Sequence, residues 1–271
     1  MYQLTSRDIT CVISIYKGTD LNEFQSSLDS VLSQTVSPYK VIVVVDGPIS
    51  NEVSSYLLTM DSNVLSVYHL DKNEGPGYAR DYGIRKATTS LIAIMDADDY
   101  SVPERFELQL EAFNSRDISV CGGVIEEFDN KGNVKKRVLP SFHNEIVSFS
   151  KIRSPINNVT AMFFKKDYIE SGGYPNFRIA EDYCLWIRFI AHGFKVFNIN
   201  STLVKVKFDS DTLIRRKGFY LFRYDYLCQV ENYKLKNIGF IRFIVNIFIL
   251  AGFRLMPRRL LNIIYKRLLR K

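Results

Sequence analysis

Cysteine is scarce in this chain: Cys11, Cys121, Cys184 and Cys228 are the four among 271 residues, they lie far apart, and three sit inside apolar runs. They read as small buried hydrophobes, which speaks against a disulfide or zinc framework and for a reducing compartment. The polar start, Met1 to Asp8, lacks the basic opening and apolar middle of a secretory signal, so nothing points to export. Long apolar runs are missing too. Phe243 to Phe253 contains Asn246 and is bounded by Arg242 and Arg254, too short and too punctuated to span a bilayer. There is no internal repeat, no low-complexity linker, no Gly-x-Gly-x-x-Gly and no Walker loop.

What is present is a large apolar fraction, 46 % of the residues, enough for one large core or two closely packed halves. The net charge of +7 conceals an asymmetry. Residues 215–271 hold 14 Lys and Arg against Asp225 and Glu231, a local +12, which leaves −5 for the rest. In this tail arginines alternate with large apolar residues over Phe240 to Phe253 and Leu260 to Leu269, a pattern that favours an anionic membrane surface over nucleic acid.

Periodicity gives the fold class. Thr10 to Ile15 is a short apolar β-rich run; Leu21, Phe24, Leu28, Val31 and Leu32 follow at helical spacing; Val41 to Val45 is the continuous Val/Ile run that a strand buried on both faces requires. A helix near Asn51 to Met60, a strand at Val64 to His69, a helix at Gly77 to Ala87 and a strand at Leu91 to Met95 repeat the theme, which predicts an α/β fold with a mostly parallel sheet. Beyond Pro103 the pattern predicts a helix to about Phe113. Strands follow at Ile118 to Phe128 and Val134 to Leu139 around the turn at 129–133, then a strand at Val159 to Phe164. A short helix at Lys166 to Ser171, a helix from Glu181 to His192, and strands at Lys195 to Ile199 and Leu203 to Phe208 complete the series. The expected organisation is residues 1–102 as one half and 103–210 as the other half of a single domain, with a basic amphipathic tail over 211–271.

Ligands of open parallel sheets bind beyond the carboxyl ends of the strands. Those ends hold Ser14-Ile15-Tyr16-Lys17, Asp46-Gly47-Pro48 and Asp96-Ala97-Asp98-Asp99. Three carboxylates in four residues repel one another unless a cation sits among them, and hard oxygen donors select Mg²⁺ or Mn²⁺. The alternative is that such acids cap the helix after Pro103, a role open to Asp99 or Ser101, and that Asp46 serves an ordinary turn. Asn73 to Arg80 is a glycine-containing loop running into a helix, where backbone N–H groups and Arg80 could meet phosphate or ribose oxygens or simply start the helix. Glu181-Asp182 opens a helix; such a pair can complement the helix dipole, or supply the carboxylate that takes a proton from an attacking hydroxyl.

In order along the chain, these segments resemble family 2 glycosyltransferases of the GT-A fold. The resemblance rests on Val12-Ile13-Ser14-Ile15-Tyr16-Lys17, Ser30-Val31-Leu32-Ser33-Gln34-Thr35, Val43-Val44-Val45-Asp46-Gly47, Asn73-x-Gly75 and Ala79-Arg80-Asp81-Tyr82-Gly83-Ile84. It continues through Met95-Asp96-Ala97-Asp98-Asp99 and Glu181-Asp182-Tyr183-x-Leu185-Trp186-x-Arg188, and spans roughly residues 9 to 210. Pro103-Glu104-Arg105-Phe106 and Ser154-Pro155-Ile156-Asn157 look like the bacterial subgroup that builds O-antigen and exopolysaccharide repeat units, similar to amylovoran-type transferases.

The resemblance implies a Rossmann-like sheet whose first half binds a nucleotide sugar and whose second half binds the acceptor. It implies that Ser14, Tyr16, Asp46, Asn73, Arg80 and Asp96 contact a UDP-sugar and that Asp96-Ala97-Asp98 is the Asp-x-Asp motif, with Asp98 and Asp96 as metal residues. Asp182, with Glu181 beside it, is then the catalytic base. Two departures stand out: the common Pro-x-Tyr-Asn is Ser14-Ile15-Tyr16-Lys17 here, and Asp-Asn after Ala79-Arg80 becomes Asp81-Tyr82. The Gln-x-x-Arg-Trp motif of processive synthases is absent, the one tryptophan being Trp186. The implied acceptor is a polyprenyl-diphosphate-linked sugar, and the implied place is peripheral, on the inner face of the bacterial cytoplasmic membrane. A sugar nucleotidyltransferase and a catalytically silent membrane-bound scaffold are the competing readings. The first would need a Gly-rich basic loop after the first strand, and the second has no need for acids at 96, 98 and 182 together.

Overall fold

Alternate residues of the first strands feed two different apolar layers, which is how a sheet covered on both faces arises from uninterrupted Val/Ile runs. The computed structural model describes residues 3–60, 63–129, 132–207 and 218–255. In it β1 (Ile9–Tyr16), β2 (Lys40–Asp46), β3 (Leu65–Leu70) and β4 (Leu91–Asp96) pair in parallel in the order β3-β2-β1-β4. Ile13, Ile15, Val43 and Val45 pack with Phe24 and Leu28 of α1 (Leu21–Leu32), and with Val53 and Leu57 of α2 (Asn51–Leu58). Val12, Ile42 and Val44 face the other way, onto Ala79 and Ile84 of α3 (Pro76–Lys86). The caps are local: the Asp20 carboxylate accepts from the N–H groups of Asn22 and Glu23, and Ser50 caps α2.

The sheet then continues without a break into a mixed half. β8 (Met162–Phe164) runs antiparallel to β4, and β6 (Val120–Phe128) antiparallel to β8. β9 (Val196–Lys207) is parallel to β6, the short β5 (Tyr100–Ser101) borders β9, and β7 (Val134–Arg137) forms a hairpin with β6. Helices α4 (Arg105–Ser115), α5 (His143–Ser150), α6 (Lys165–Glu170) and α7 (Glu181–Ala191) cover it. Trp186, Leu185 and Phe189 of α7 join the second layer, fully buried.

Three details differ from the sequence reading. The strand expected at Val159 to Phe164 begins at Met162, because Asn158–Thr160 is a 3-10 turn whose Thr160 hydroxyl donates to the Asn157 carbonyl. The two strands expected at 195–199 and 203–208 are one strand, β9, which jumps register against β6 where Gly123 faces Ile199 and Val124 faces Thr202. Helix α5 and strand β5 carry no period long enough to be read.

By its contacts the chain divides into two compact units, 1–208 and 209–271. In the second, α8 (Phe219–Lys234) and α9 (Phe240–Leu255) form a hairpin. Asn246, which interrupts the apolar run in sequence, is buried and donates to Gln229 Oε1 at 2.8 Å, and Arg254 Nε meets Asp225 Oδ2 at 2.6 Å. Among the described residues no helix is long and apolar enough to cross a membrane. The basic segment containing Leu260 to Leu269 and the join at 208–217 lie outside the described residues.

Candidate active site

Asp96 and the segment after it are held by α1 and the residues that follow α1. The Ser27 hydroxyl donates to the Asp96 carbonyl at 2.8 Å, and Ser30 Oγ accepts from the Ser101 N–H at 3.0 Å. The Gln34 amide donates to the Val102 carbonyl at 2.7 Å while its oxygen accepts from the Phe106 N–H at 3.1 Å. The Ser30 to Thr35 motif is thus a clamp on residues 96–106. Capping does not explain the acids: the cap position of α4 is Glu104, which makes no side-chain cap bond.

Asp98 opens onto a cleft of about 200 Å³ lined by Ser14, Tyr16, Asp20, Glu23, Arg80 and Asp96. Its surroundings, crowded and short of water, raise its carboxyl above the ordinary range, and the Asp96 charge adds to this. Asp99 is buried, and burial with the charges of Asp96 and Asp98 pushes it up to about 9. Beneath them the fully buried Arg105 donates to the Ile94 carbonyl at 2.9 Å and to Gln109 Oε1 at 3.1 Å, its pKa lowered to about 10 by burial. Asp20, Glu23, Asp96 and Asp98 put several hard oxygen donors around an open cleft, a fit for a divalent cation. Among the described residues no three such side chains form a ready-made cage, so protein carboxylates would supply only part of a cation's shell, as is usual where phosphates supply the rest.

Arg80 ties this cluster to α7. Its side chain is buried, with Nη2 donating to Asp96 Oδ1 at 2.7 Å and Nη1 to Glu181 Oε1 at 2.8 Å. These two carboxylates raise its pKa against the opposing effect of burial. Glu181 is pushed up to about 7, chiefly by burial, with Arg80 working against the shift. Asp182 next to it is partly enclosed and is likewise raised, chiefly by burial; Ser154 Oγ approaches its Oδ2 at 3.5 Å. The residue before the pair, Ala180, sits at φ +60°, a left-handed conformation that costs about 1–2 kcal/mol for a side-chain-bearing residue. The surroundings therefore fix where α7 starts. Gly77 allows the close approach of the two helix starts: a Cβ there would lie 3.1 Å from Glu181 Cγ and 3.4 Å from the Phe177 carbonyl oxygen.

A second cavity, of about 340 Å³, adjoins the first through Ser14, Tyr16 and Pro76, and is further lined by Asp46, Asn73, Gly75 and Arg178. Asp46 is buried, and its carboxylate accepts from the N–H groups of Glu74 at 2.7 Å and Gly75 at 2.9 Å and from Asn73 Nδ2 at 3.0 Å. The backbone N–H groups of Glu74 and Gly75, which could have met phosphate or ribose or simply started the helix, are thus turned onto Asp46, and Arg80, open to the same readings, has two nitrogens on carboxylates.

The structure accordingly brings Ser14, Tyr16, Asp46, Asn73, Arg80, Asp96 and Asp98 to one pair of adjoining cavities. Glu181 and Asp182 line neither, and they join the group through Arg80. Sequence reasoning passed over Glu23, an acid on α1 that pairs with Lys207 at the end of β9, and Arg178, an isolated arginine in a loop with no pattern to mark it.

Comparison with known proteins agrees with this architecture. The family model for glycosyl transferase family 2 matches residues 10–173. An amylovoran biosynthesis glycosyltransferase of Erwinia amylovora is 31 % identical over 259 residues, covering 94 % of this chain and 97 % of the relative. A UDP-Gal:α-D-GlcNAc-diphosphoundecaprenol β-1,3-galactosyltransferase of Escherichia coli is 32 % identical and covers 90 % of each chain. Among solved structures, Staphylococcus aureus TarS in complex with UDP-GlcNAc superposes with a TM-score of 0.65 at 16 % identity over 83 % of this chain and 66 % of that one. In the longer TarS structure the match spans 39 % of the chain. A Pyrobaculum calidifontis mannosyltransferase in complex with GDP-Man and Mn²⁺ superposes with a TM-score of 0.62 at 13 % identity, over 91 % of this chain and 69 % of that one. Both likenesses are of fold: the GT-A sheet with its flanking helices.

Proposed function

The chain belongs to glycosyl transferase family 2, and from that premise we propose that it is an inverting, non-processive transferase. It moves a hexose or N-acetylhexosamine from a UDP-sugar to a lipid-diphosphate-linked sugar, GlcNAc-diphosphoundecaprenol, in O-antigen or exopolysaccharide repeat-unit synthesis. The observation that carries the reading is the buried Arg80, which holds Asp96 of the first half and Glu181 of the second within 2.8 Å of one side chain. Acids of the two halves are thereby tied together beside the paired cavities, with residues 1–102 serving the donor and 103–210 the acceptor. The acceptor assignment is supported by the substrate named for the E. coli relative, which is similar over nine-tenths of both chains.

In this reading the nucleotide lies along the two adjoining cavities, its base and ribose toward Asp46, Asn73 and Tyr16 and its diphosphate toward Asp96 and Asp98. A divalent cation, Mn²⁺ or Mg²⁺, held by Asp98 with Asp96 beside it, would neutralise charge on the departing diphosphate. Asp182 accepts the proton of the acceptor hydroxyl as the oxygen attacks the anomeric carbon, the bond to UDP breaks, and the centre inverts. Its pKa, raised chiefly by burial, suits a carboxylate that has to take up a proton. Non-processivity is supported by the single tryptophan being buried in the core as Trp186, with no Gln-x-x-Arg-Trp segment.

The hairpin of α8 and α9 supports a peripheral site on the inner face of the cytoplasmic membrane. Ile241 is 81 % exposed and Phe248 74 %, beside Arg242, in a segment with a strongly positive surplus. Such apolar side chains are the kind an anionic leaflet takes up while basic residues stay at its headgroups.

The test is UDP release by purified protein over a panel of UDP-sugars, with a synthetic GlcNAc-diphosphate-lipid acceptor and Mn²⁺, repeated with excess EDTA. Acceptor-stimulated release from one donor, abolished by EDTA, is expected. Release that ignores both acceptor and metal, or no release from any donor, overturns the reading.

A further inference from the structure

We propose that Arg178, which comes from the acceptor half, closes the nucleotide cavity and makes direct contact with the bound nucleoside diphosphate, so that donor occupancy steadies the segment leading into α7. The inference rests on the donor-site reading above, and it assigns a role to a residue that no sequence motif marks.

Geometry carries it. Arg178 lies on the segment between Gly173 and α7, yet its guanidinium reaches the donor loop: Nη1 donates to Asn73 Oδ1 at 3.2 Å and Nη2 to the Asn73 carbonyl at 3.0 Å. Its aliphatic stem packs on Gly75, where an added Cβ would stand 3.3 Å from Arg178 Cγ, so the glycine at φ +99° leaves the room this stem occupies. The same side chain lines the 340 Å³ cavity with Ser14, Tyr16, Asp46 and Asn73. A guanidinium has five N–H donors in a planar fork; two are used on Asn73, and the others are available to the oxygens of a ribose or base or to the face of a ring. Arg178 is itself exposed, so its contacts with Asn73 can rearrange without opening the core.

The mechanical link to chemistry is short. Two residues after Arg178 the chain passes through the left-handed Ala180 and enters α7 with Glu181 and Asp182. A residue held in the left-handed region persists only where its surroundings over-determine it, so the chain at Ala180 has little freedom of its own. A ligand that engages Arg178 therefore steadies residues 178–180, which lead into α7.

The experiment compares wild type, Arg178→Ala and Arg178→Lys by UDP titration in Mn²⁺, by donor kinetics, and by backbone hydrogen exchange over residues 174–184 with and without UDP. Expected for Arg178→Ala are UDP affinity and donor kcat/KM lower by about 10-fold or more, and loss of the UDP-induced protection of that segment. Arg178→Lys, which keeps the charge without the fork, should fall between. Thermal melts of all three should agree, because the side chain is exposed. If wild type binds UDP and Arg178→Ala binds it equally well with the segment equally protected, the inference is overturned and the donor site stands. If Arg178→Ala loses turnover at unchanged UDP affinity, the contact is not with the nucleotide and the inference is again overturned. If wild type binds no nucleoside diphosphate, the donor-site reading falls and takes the inference with it.

Discussion

The end of β4 and the start of α7 both crowd carboxylates together, and the protein treats them differently. Asp96 and Asp98 line an open cleft with Asp99 buried behind them, Arg105 below and Arg80 to one side. Glu181 and Asp182 sit at the first turn of a helix whose start is packed against α3, with Arg80 on Glu181. The first arrangement leaves negative charge facing an open cleft; the second turns burial into raised pKa values, as the proposed proton-accepting role requires. Environment alone sets this division of labour between like residues.

Removing what joins the two clusters should do the most damage. Arg80→Ala leaves Asp96 and the buried Glu181 without their shared cation, and a loss of about 3 kcal/mol in urea unfolding is expected, together with loss of activity. A variant as stable as wild type would mean that the two carboxylates find other partners and the clusters are independent. Asp182→Asn keeps shape and removes the base, so kcat should fall by about 10²-fold or more while UDP affinity survives. Near-normal turnover would move the role to Glu181 or cancel the assignment. Gly77→Ala pushes a methyl group against Glu181 and should cut kcat by about 3- to 10-fold with a small change in melting temperature; unchanged kinetics would show that α7 has slack at its start.

The smallest effect concerns pH. Glu181 and Asp182 have folded pKa values above their unfolded ones, so the folded state holds these protons more tightly than the unfolded chain. Their contribution to stability therefore declines as pH rises from the ordinary carboxylate range to about 7. Asp182→Asn should melt higher than wild type at neutral pH, with the difference shrinking toward pH 4. The rate should show the opposite slope, rising with pH as Asp182 loses its proton. A wild-type melting temperature that climbs through this window would contradict the assigned shifts.

Sequence and structure agree most closely where one element buries both faces. β1, β2 and β4 show themselves as Val/Ile runs, and α1 and α7 as apolar stripes, because burial leaves no room for polar residues there. β9 was harder to read, since a register jump near Asn200 and Ser201 breaks the period in mid-strand. β5, with only Tyr100 and Ser101, was too short to show a pattern. Among site residues, the acids after β4 were legible as an unusual charge density. The role of Arg80 as a bridge was not, because one arginine in a helix can face solvent, phosphate or, as here, two carboxylates 16 and 101 positions away. Arg178 was invisible for the same reason: its partner Asn73 lies 105 residues earlier in the chain.

Arg105 bears on how the protein meets its metal over time. Fully buried and fastened to Ile94 and Gln109, it is a permanent cation directly under the acid cluster. A chain carrying such an internal counter-charge does not depend on an external ion to hold the cluster together, so scarcity of metal should lower its working rate without unfolding it. Under the proposed metal-dependent reading, the ion is then a passenger that boards with each nucleotide and not a fixture, and the free metal pool would set the pace of the reaction while the stock of folded protein stays constant.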